Sequence, residues 1–127
     1  MTDDSRPMTH FVSGHLDLSQ AEFDAQYRPA LDEALARGDS FVVGDACGTD
    51  ALTQHYLLGK TTAVVVYHMF ASPRNNVGFN TIGGFETDEE RDTQMTADSD
   101  RDIAWVRPGR KNSGTQQNID RRNRLTS

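Results

Sequence analysis

Short apolar runs stand out from an otherwise polar chain. They lie at residues 41–43 (FVV), 63–67 (AVVVY) and 103–106 (IAWV), with a shorter run at 11–12 (FV). Runs of β-branched and aromatic residues bounded by glycine and polar residues predict strands. Because these runs are continuously apolar, they favour a parallel sheet covered by helices on both faces. The predicted strands span 11–13, 40–43, 61–69 and 102–107.

The segments between these strands show helical spacing and helix start signals. Ser19 and Glu22 have the spacing of a capping box, and the apolar positions that follow share one helical face. Pro29 is expected to divide this element into two helices, and Gly38 is placed to end the second one. Further helices are predicted over about 50–58, from a box at Thr87 to about 98, and from 113 to the basic C-terminal end.

This alternation of strand and helix predicts an α/β fold. We expect a small Rossmann-like, doubly wound parallel sheet of about four to five strands in a single domain. Residues 1–9 are polar and acidic and predict a disordered N-terminal arm, so the domain spans 10–127. Residues 70–86 show no periodicity and predict a long loop, of the kind that forms a functional lid or a mobile segment.

Composition narrows the class of function. The net charge of −6 disfavours nucleic-acid binding, although basic residues cluster between 107 and 124 and allow a local anion site. The single cysteine, Cys47, excludes an intramolecular disulfide framework. The polar and acidic residues 1–7 do not predict a signal peptide, and no apolar run reaches the length of a membrane span. We therefore expect a cytoplasmic protein without a membrane partner. The open edges of a small sheet favour a homodimer or a higher homo-oligomer.

Glycine and small polar residues follow each predicted strand. In a parallel sheet, ligands bind at the carboxyl ends of the strands, so these segments are expected to converge on one site. Glycines allow close approach of a ligand to the backbone, and the helix start at 113–115 offers free N–H groups to an anion. The candidate ligand-binding residues are Ser13, Gly14, His15, Gly44, Asp45, Gly48, Thr49, Asp50, Arg91, Ser113, Gly114, Thr115 and Asn118.

Arg91 and Asp45 are the candidate catalytic residues among them. Arg91 is placed to clamp a phosphate, or alternatively to pair with Asp88 at the surface. Asp45 is placed to accept hydrogen bonds from ribose hydroxyls. The sequence indicates no metal ligands and no cofactor, since its four histidines and one cysteine lack zinc-type spacing and a G-x-G-x-x-G fingerprint is absent.

Three stretches resemble a known family. Residues 44–52 (GDACGTDAL) are similar to the G-G-A-x-G-A-D-x-L segment of the SLOG superfamily, Rossmann-like domains that sense or process nucleotide-derived ligands. Residues 90–95 (ERDTQM) and 113–115 (SGT) resemble the LOG phosphoribohydrolases of that superfamily, in which an R-K-x-x-M helix precedes P-G-G-x-G-T-x-x-E. Arg91 matches the arginine, which serves catalysis in that family. Asn118 stands at the position of the catalytic glutamate and cannot act as a carboxylate.

We therefore expect binding of a nucleotide or another ribose-phosphate-containing small molecule at the carboxyl edge of the sheet. The resemblance implies an alternative, an N-glycosidic-bond hydrolase acting on a nucleoside monophosphate or an NAD-like substrate. A third alternative is a non-catalytic protein-interaction module whose contacts are made by residues 70–86 and the basic C-terminal helix.

Overall fold

The computed structural model describes residues 7–110 and 113–126, except for the side chain of residue 126. In this part of the chain, five parallel strands form a single sheet. The strands are β1 (Thr9–Ser13), β2 (Ser40–Gly44), β3 (Val64–Met69), β4 (Asn80–Phe85) and β5 (Arg101–Ala104). Their order is β4-β3-β2-β1-β5, and each neighbouring pair is parallel. The predicted α/β fold is therefore confirmed.

Helices cover both faces of this sheet. They are α1 (Gln20–Gln26), α2 (Arg28–Arg37), α3 (Thr49–Leu57), α4 (Asp88–Ala97) and α5 (Gly114–Thr126). Because successive strand residues point to opposite faces, Val12 and Val43 pack with α1, α2 and α3, whereas their neighbours Phe11 and Val42 pack with Met95 of α4. The result is two apolar layers, the larger one on the α1–α3 side.

The predicted helix signals are confirmed around α1 and α2. Ser19 Oγ accepts a hydrogen bond from Glu22 N–H, and the Glu22 carboxylate accepts one from Ser19 N–H, which completes the capping box. Pro29 lies in the first turn of α2, where its missing N–H costs no hydrogen bond. Gly38 ends α2 in the left-handed conformation, with φ of 79°.

Two strand predictions were wrong. Residues 80–85, which the sequence placed in the long loop, form β4, and the connecting loop is residues 70–79. As an exposed edge strand that pairs on one side, β4 lacks the apolar pattern that identifies buried strands. The last predicted strand, 102–107, is shorter than expected, because β5 ends at Ala104. Beyond that point the backbone bonds to side chains instead of to β1: Trp105 N–H donates to Tyr27 Oη, and Arg107 N–H donates to His15 Nε2.

Residues 1–6 of the predicted arm lie outside the described residues, whereas Thr9 opens β1. Lys111 and Asn112, in the loop before α5, also lie outside them. Within the described residues, every helix is too short or too polar to cross a membrane.

Candidate functional site

A cavity of about 290 Å³ lies at the carboxyl end of β1, where the strand order reverses between β1 and β5. It is bounded by the segments that follow β1, β2 and β5 and by the facing sides of α4 and α5. Most of the residues that the sequence nominated line it: Ser13, Gly14, His15, Asp50, Arg91, Ser113, Gly114, Thr115 and Asn118. The other nominated residues, Gly44, Asp45, Gly48 and Thr49, lie behind this lining.

The segment after β1 is bound directly to the start of α3. The carbonyl oxygen of His15 accepts hydrogen bonds from Thr49 N–H at 3.1 Å and from Thr49 Oγ1 at 3.0 Å. A Cβ atom on Gly14 would collide with the Thr49 and Tyr27 side chains, so glycine is needed for this close approach. Gly48, with φ of 70°, makes the left-handed turn into α3. Gly48 and Thr49 therefore shape the cavity wall without lining it.

Ser13 brings an unpartnered hydroxyl to the cavity. Its side chain lies on the same face of β1 as Phe11, on the α4 side of the sheet. Ser13 is only 6% exposed, and its Oγ has no hydrogen-bond partner among the described residues. A buried hydroxyl without a partner costs about 1–3 kcal/mol, so this group is available to a ligand.

His15 is held as a neutral ring. Its Nε2 accepts a hydrogen bond from Arg107 N–H at 2.8 Å, which places the ring proton on Nδ1. Burial, together with the positive charges of Arg110 and Arg107, lowers the pKa of His15 below its ordinary value. His15 therefore offers the cavity a neutral imidazole rather than a cation.

The N-terminus of α5 closes the cavity on the side opposite β2. Ser113 Oγ accepts a hydrogen bond from Gln116 N–H at 3.1 Å, so Ser113 caps the helix. The N–H groups of Gly114 and Thr115 lie in the first turn, where no intrahelical carbonyl can accept from them. Both residues line the cavity, and the positive end of the helix dipole favours an anion there.

Arg91 centres a cluster of aspartates. Its Nη1 donates to Asp45 at 3.0 Å, its Nε to Asp92 at 3.1 Å, and its Nη2 lies 3.3 Å from Asp88. Arg91 is buried, and these three carboxylates occupy its guanidinium group. Arg91 does pair with Asp88, but it does so as a buried residue and not at the surface as the sequence indicated. A phosphate would have to displace Asp88, the most exposed of the three partners.

Asp45 lies behind Arg91 and also holds the loop 70–79 in place. Its carboxylate accepts from Arg74 N–H at 2.7 Å and pairs with the Arg74 guanidinium at 2.8 Å. Burial alone would raise the pKa of Asp45, but the hydrogen bonds and charges of Arg74 and Arg91 lower it. Fully buried and engaged on both oxygens, Asp45 has no free acceptor for a ribose hydroxyl.

Asp50 and Asp92 differ from Asp45, because burial dominates their titration. Burial raises the pKa of Asp50 to about 7, against the opposing charge of Arg91 and the hydrogen bond from Ala46 N–H. Burial likewise raises the pKa of Asp92, again against Arg91 and against the hydrogen bond from Asn118. Both side chains line the cavity, and Asp50 is the one whose pKa lies near neutrality.

The sequence did not nominate several lining residues: Phe11, Leu16, Ala46, Arg74, Asp88, Asp92, Met95 and Arg110. Asp88 carried a usable signal, because it lies three residues before Arg91 in one helix, whereas Asp92 carried none, because adjacent helix positions do not face each other. Arg74 carried none either, since it lies in a loop without periodicity and reaches the cavity through its contacts with Asp45 and Asp88.

Among the described residues, no group of histidine, cysteine, aspartate or glutamate side chains is arranged to hold a metal ion. Comparisons of the chain with protein-family models, with curated proteins and with solved structures found no match.

Proposed function

We propose that this chain binds a nucleotide or a nucleotide-derived ligand, with its phosphate at the N-terminus of α5. The Ser13 hydroxyl, which has no hydrogen-bond partner among the described residues, carries the proposal. Ser13 lines the same cavity as Gly114 and Thr115, whose N–H groups have no acceptor within α5. A phosphate supplies several acceptor oxygens and a negative charge, and both suit these donors.

The size and polarity of the cavity support a small ligand. Its volume of about 290 Å³ lies at the lower end of the roughly 300–1,000 Å³ typical of small-molecule sites. A ribose phosphate or a mononucleotide matches that size better than a dinucleotide does. The carboxyl groups of Asp50 and Asp92 line the cavity and can form hydrogen bonds with oxygen atoms of such a ligand.

Thermal shift measurements with AMP, ribose 5-phosphate, ADP-ribose and NAD test this proposal. A ligand at one hundred times its dissociation constant stabilises the folded state by about 2.7 kcal/mol, which a melting curve detects easily. Ser13→Ala should reduce the shift, whereas Thr93→Ala, which removes an exposed hydroxyl from α4, should leave it unchanged. Absence of a shift with every compound at millimolar concentration would refute the proposal.

A second candidate function is hydrolysis of an N-glycosidic bond. Asn118 stands where the phosphoribohydrolase pattern has glutamate, and its Nδ2 donates to Asp92 Oδ2 at 3.2 Å. A carboxyl group thus lies next to the position from which the family's glutamate acts. In this reaction the bond between ribose C1′ and the base nitrogen breaks, while water supplies a hydroxyl to C1′ and a proton to the base.

Incubation with AMP or NAD, followed by chromatography for free adenine or nicotinamide, tests the second candidate. Asp92→Asn should abolish release of the base, and Asp120→Asn, on the exposed side of α5, should not. If the wild-type protein releases no more free base than Asp92→Asn does, hydrolysis of these substrates is excluded.

A further inference from the structure

Asp50 brings to the cavity a carboxyl group that lacks an ion pair among the described residues. It lies near the start of α3, is 9% exposed and lines the cavity. Its Oδ2 accepts a hydrogen bond from Ala46 N–H at 3.1 Å. A Cβ atom on Gly44 would lie 2.6 Å from that oxygen and 3.3 Å from Arg91 Cζ, so the backbone of Gly44 packs between the two side chains.

Arg91 lies close to Asp50, across the backbone of Gly44, but each of its three guanidinium nitrogens already faces another carboxylate. Asp45, Asp88 and Asp92 occupy its guanidinium nitrogens at 3.0–3.3 Å. Arg74, the other cation of the cluster, is bonded to Asp45. Two guanidinium groups therefore face four carboxyl groups, and Asp50 is the one that neither of them contacts directly.

The charged and titratable groups around Asp50 come from every element packed against it. They are Tyr27 at the end of α1, Asp45 after β2, Arg74 in the loop 70–79, and Arg91 and Asp92 in α4. The same cavity is also lined by Arg110, before α5, and by the neutral ring of His15, after β1. Ionisation of Asp50 thus adds a fourth negative charge beside Asp45, Asp88 and Asp92.

We infer that Asp50 binds the ligand in its protonated form and donates a hydrogen bond to an anionic oxygen of the ligand. The inference rests on the proposed function and deepens it. Protonated Asp50 offers the cavity an O–H donor, whereas ionised Asp50 offers only acceptors and repels phosphate. Binding of a phosphate-bearing ligand should therefore take up a proton and weaken as the pH rises through neutrality.

Burial raises the pKa of Asp50 to about 7, which supports a protonated carboxyl group at this position near neutral pH. Burial and the nearby arginines lower the pKa of His15, and His15 is present in both the wild type and Asp50→Asn, so its titration cancels in the ratio of their affinities. If only the protonated form binds, the fraction of competent protein falls about tenfold between pH 6 and pH 8.

Calorimetric titration with AMP at pH 6, 7 and 8 tests the inference on three proteins: the wild type, Asp50→Asn and Asp120→Asn. The phosphate of AMP also titrates in this range, but equally for all three proteins, so the ratio of affinities isolates Asp50. The ratio of wild type to Asp50→Asn should fall about tenfold from pH 6 to pH 8, because the asparagine amide remains a donor at every pH. Asp120→Asn should follow the wild type.

A ratio that stays within twofold across this range overturns the inference while the proposed function stands. Failure of all three proteins to bind overturns both. If Asp50→Asn does not fold, competition by sulfate on the wild type decides the question, since the charge of sulfate is constant from pH 6 to pH 8. Sulfate affinity that falls several-fold supports the inference, and unchanged sulfate affinity overturns it.

Discussion

Replacement of Asp50 by asparagine should stabilise the protein above neutral pH even without a ligand. The pKa of Asp50 is raised from 3.8 to about 7 in the folded protein, so the folded state holds the proton more tightly than the unfolded state does. The corresponding stability is fully present below pH 3.8 and is lost as the pH rises to about 7. Asparagine keeps the acceptor for Ala46 N–H and has no charge to lose.

The magnitude follows from the difference between the two pKa values. About three pKa units at roughly 1.4 kcal/mol each limit the full effect to about 4 kcal/mol. Because part of it is already lost at pH 5, the difference between Asp50→Asn and the wild type should grow by about 2–3 kcal/mol from pH 5 to pH 8. In urea unfolding this corresponds to a relative midpoint shift of roughly 1–2 M.

Urea unfolding at pH 5, 6, 7 and 8 measures the effect, with Asp120→Asn as the control for loss of a carboxylate. His15 and Asp92 are present in every protein, so their titration cancels in the comparison. A difference that stays constant from pH 5 to pH 8 would show that Asp50 titrates normally. An Asp50→Asn protein that is less stable than the wild type at pH 8 would also refute the reasoning.

Three further substitutions test contacts at the cavity (Tyr27 and Ser13) and at the opposite end of the strands (Asp39). Tyr27→Phe should cost about 1–3 kcal/mol in chemical unfolding, because Tyr27 Oη donates to Ser13 C=O at 2.8 Å and accepts from Trp105 N–H at 3.0 Å; a cost below about 0.5 kcal/mol would contradict this. Ser13→Ala should leave the melting temperature of the free protein unchanged or higher, since the Ser13 hydroxyl has no partner among the described residues. The same substitution should weaken AMP binding several-fold, and unchanged AMP affinity would exclude Ser13 from the site. Asp39→Asn should destabilise the protein above pH 4 and progressively less below it, because hydrogen bonds from His10 and Met8 lower the pKa of Asp39 against the effect of burial. A difference in urea midpoint between Asp39→Asn and the wild type that stays constant from pH 3 to pH 7 would argue against this.

The elements that local chemistry specifies were predictable from the sequence. Helix starts and ends depend on residues only a few positions apart, so a local sequence pattern is enough to predict them. Examples are the capping box at Ser19, the proline in the first turn of α2 and the left-handed Gly38. The buried strands were predictable because apolar residues on both faces leave continuous runs. β4 was missed because an exposed edge strand needs no such run, and its bonds to β3 are non-local.

The candidate site was predictable in position but not in electrostatics. Residues after strands converge in any parallel sheet, so Ser13, Asp50 and Thr115 could be nominated from topology alone. That Asp45 and Arg91 neutralise each other depends on the loop 70–79 and on the packing of α4, and neither follows from a local pattern. The expectation that Asp45 faces a ribose failed for the same reason. Its carboxylate is bonded to Arg74, 29 positions away in the chain, and no local pattern indicates such a contact.

Ser13 and Asp50 share a property that fold stability does not explain. Among the described residues, the Ser13 hydroxyl has no hydrogen-bond partner and the Asp50 carboxyl has no ion pair. Both features lower the stability of the free protein, and alanine at Ser13 or asparagine at Asp50 would remove that cost. The two groups come from different strand ends, 37 residues apart in the sequence, yet both line the one cavity that the N-terminus of α5 also faces. A ligand that accepts hydrogen bonds from both would offset both costs at once, and on this ground we propose an anionic ligand rather than a protein-interaction surface.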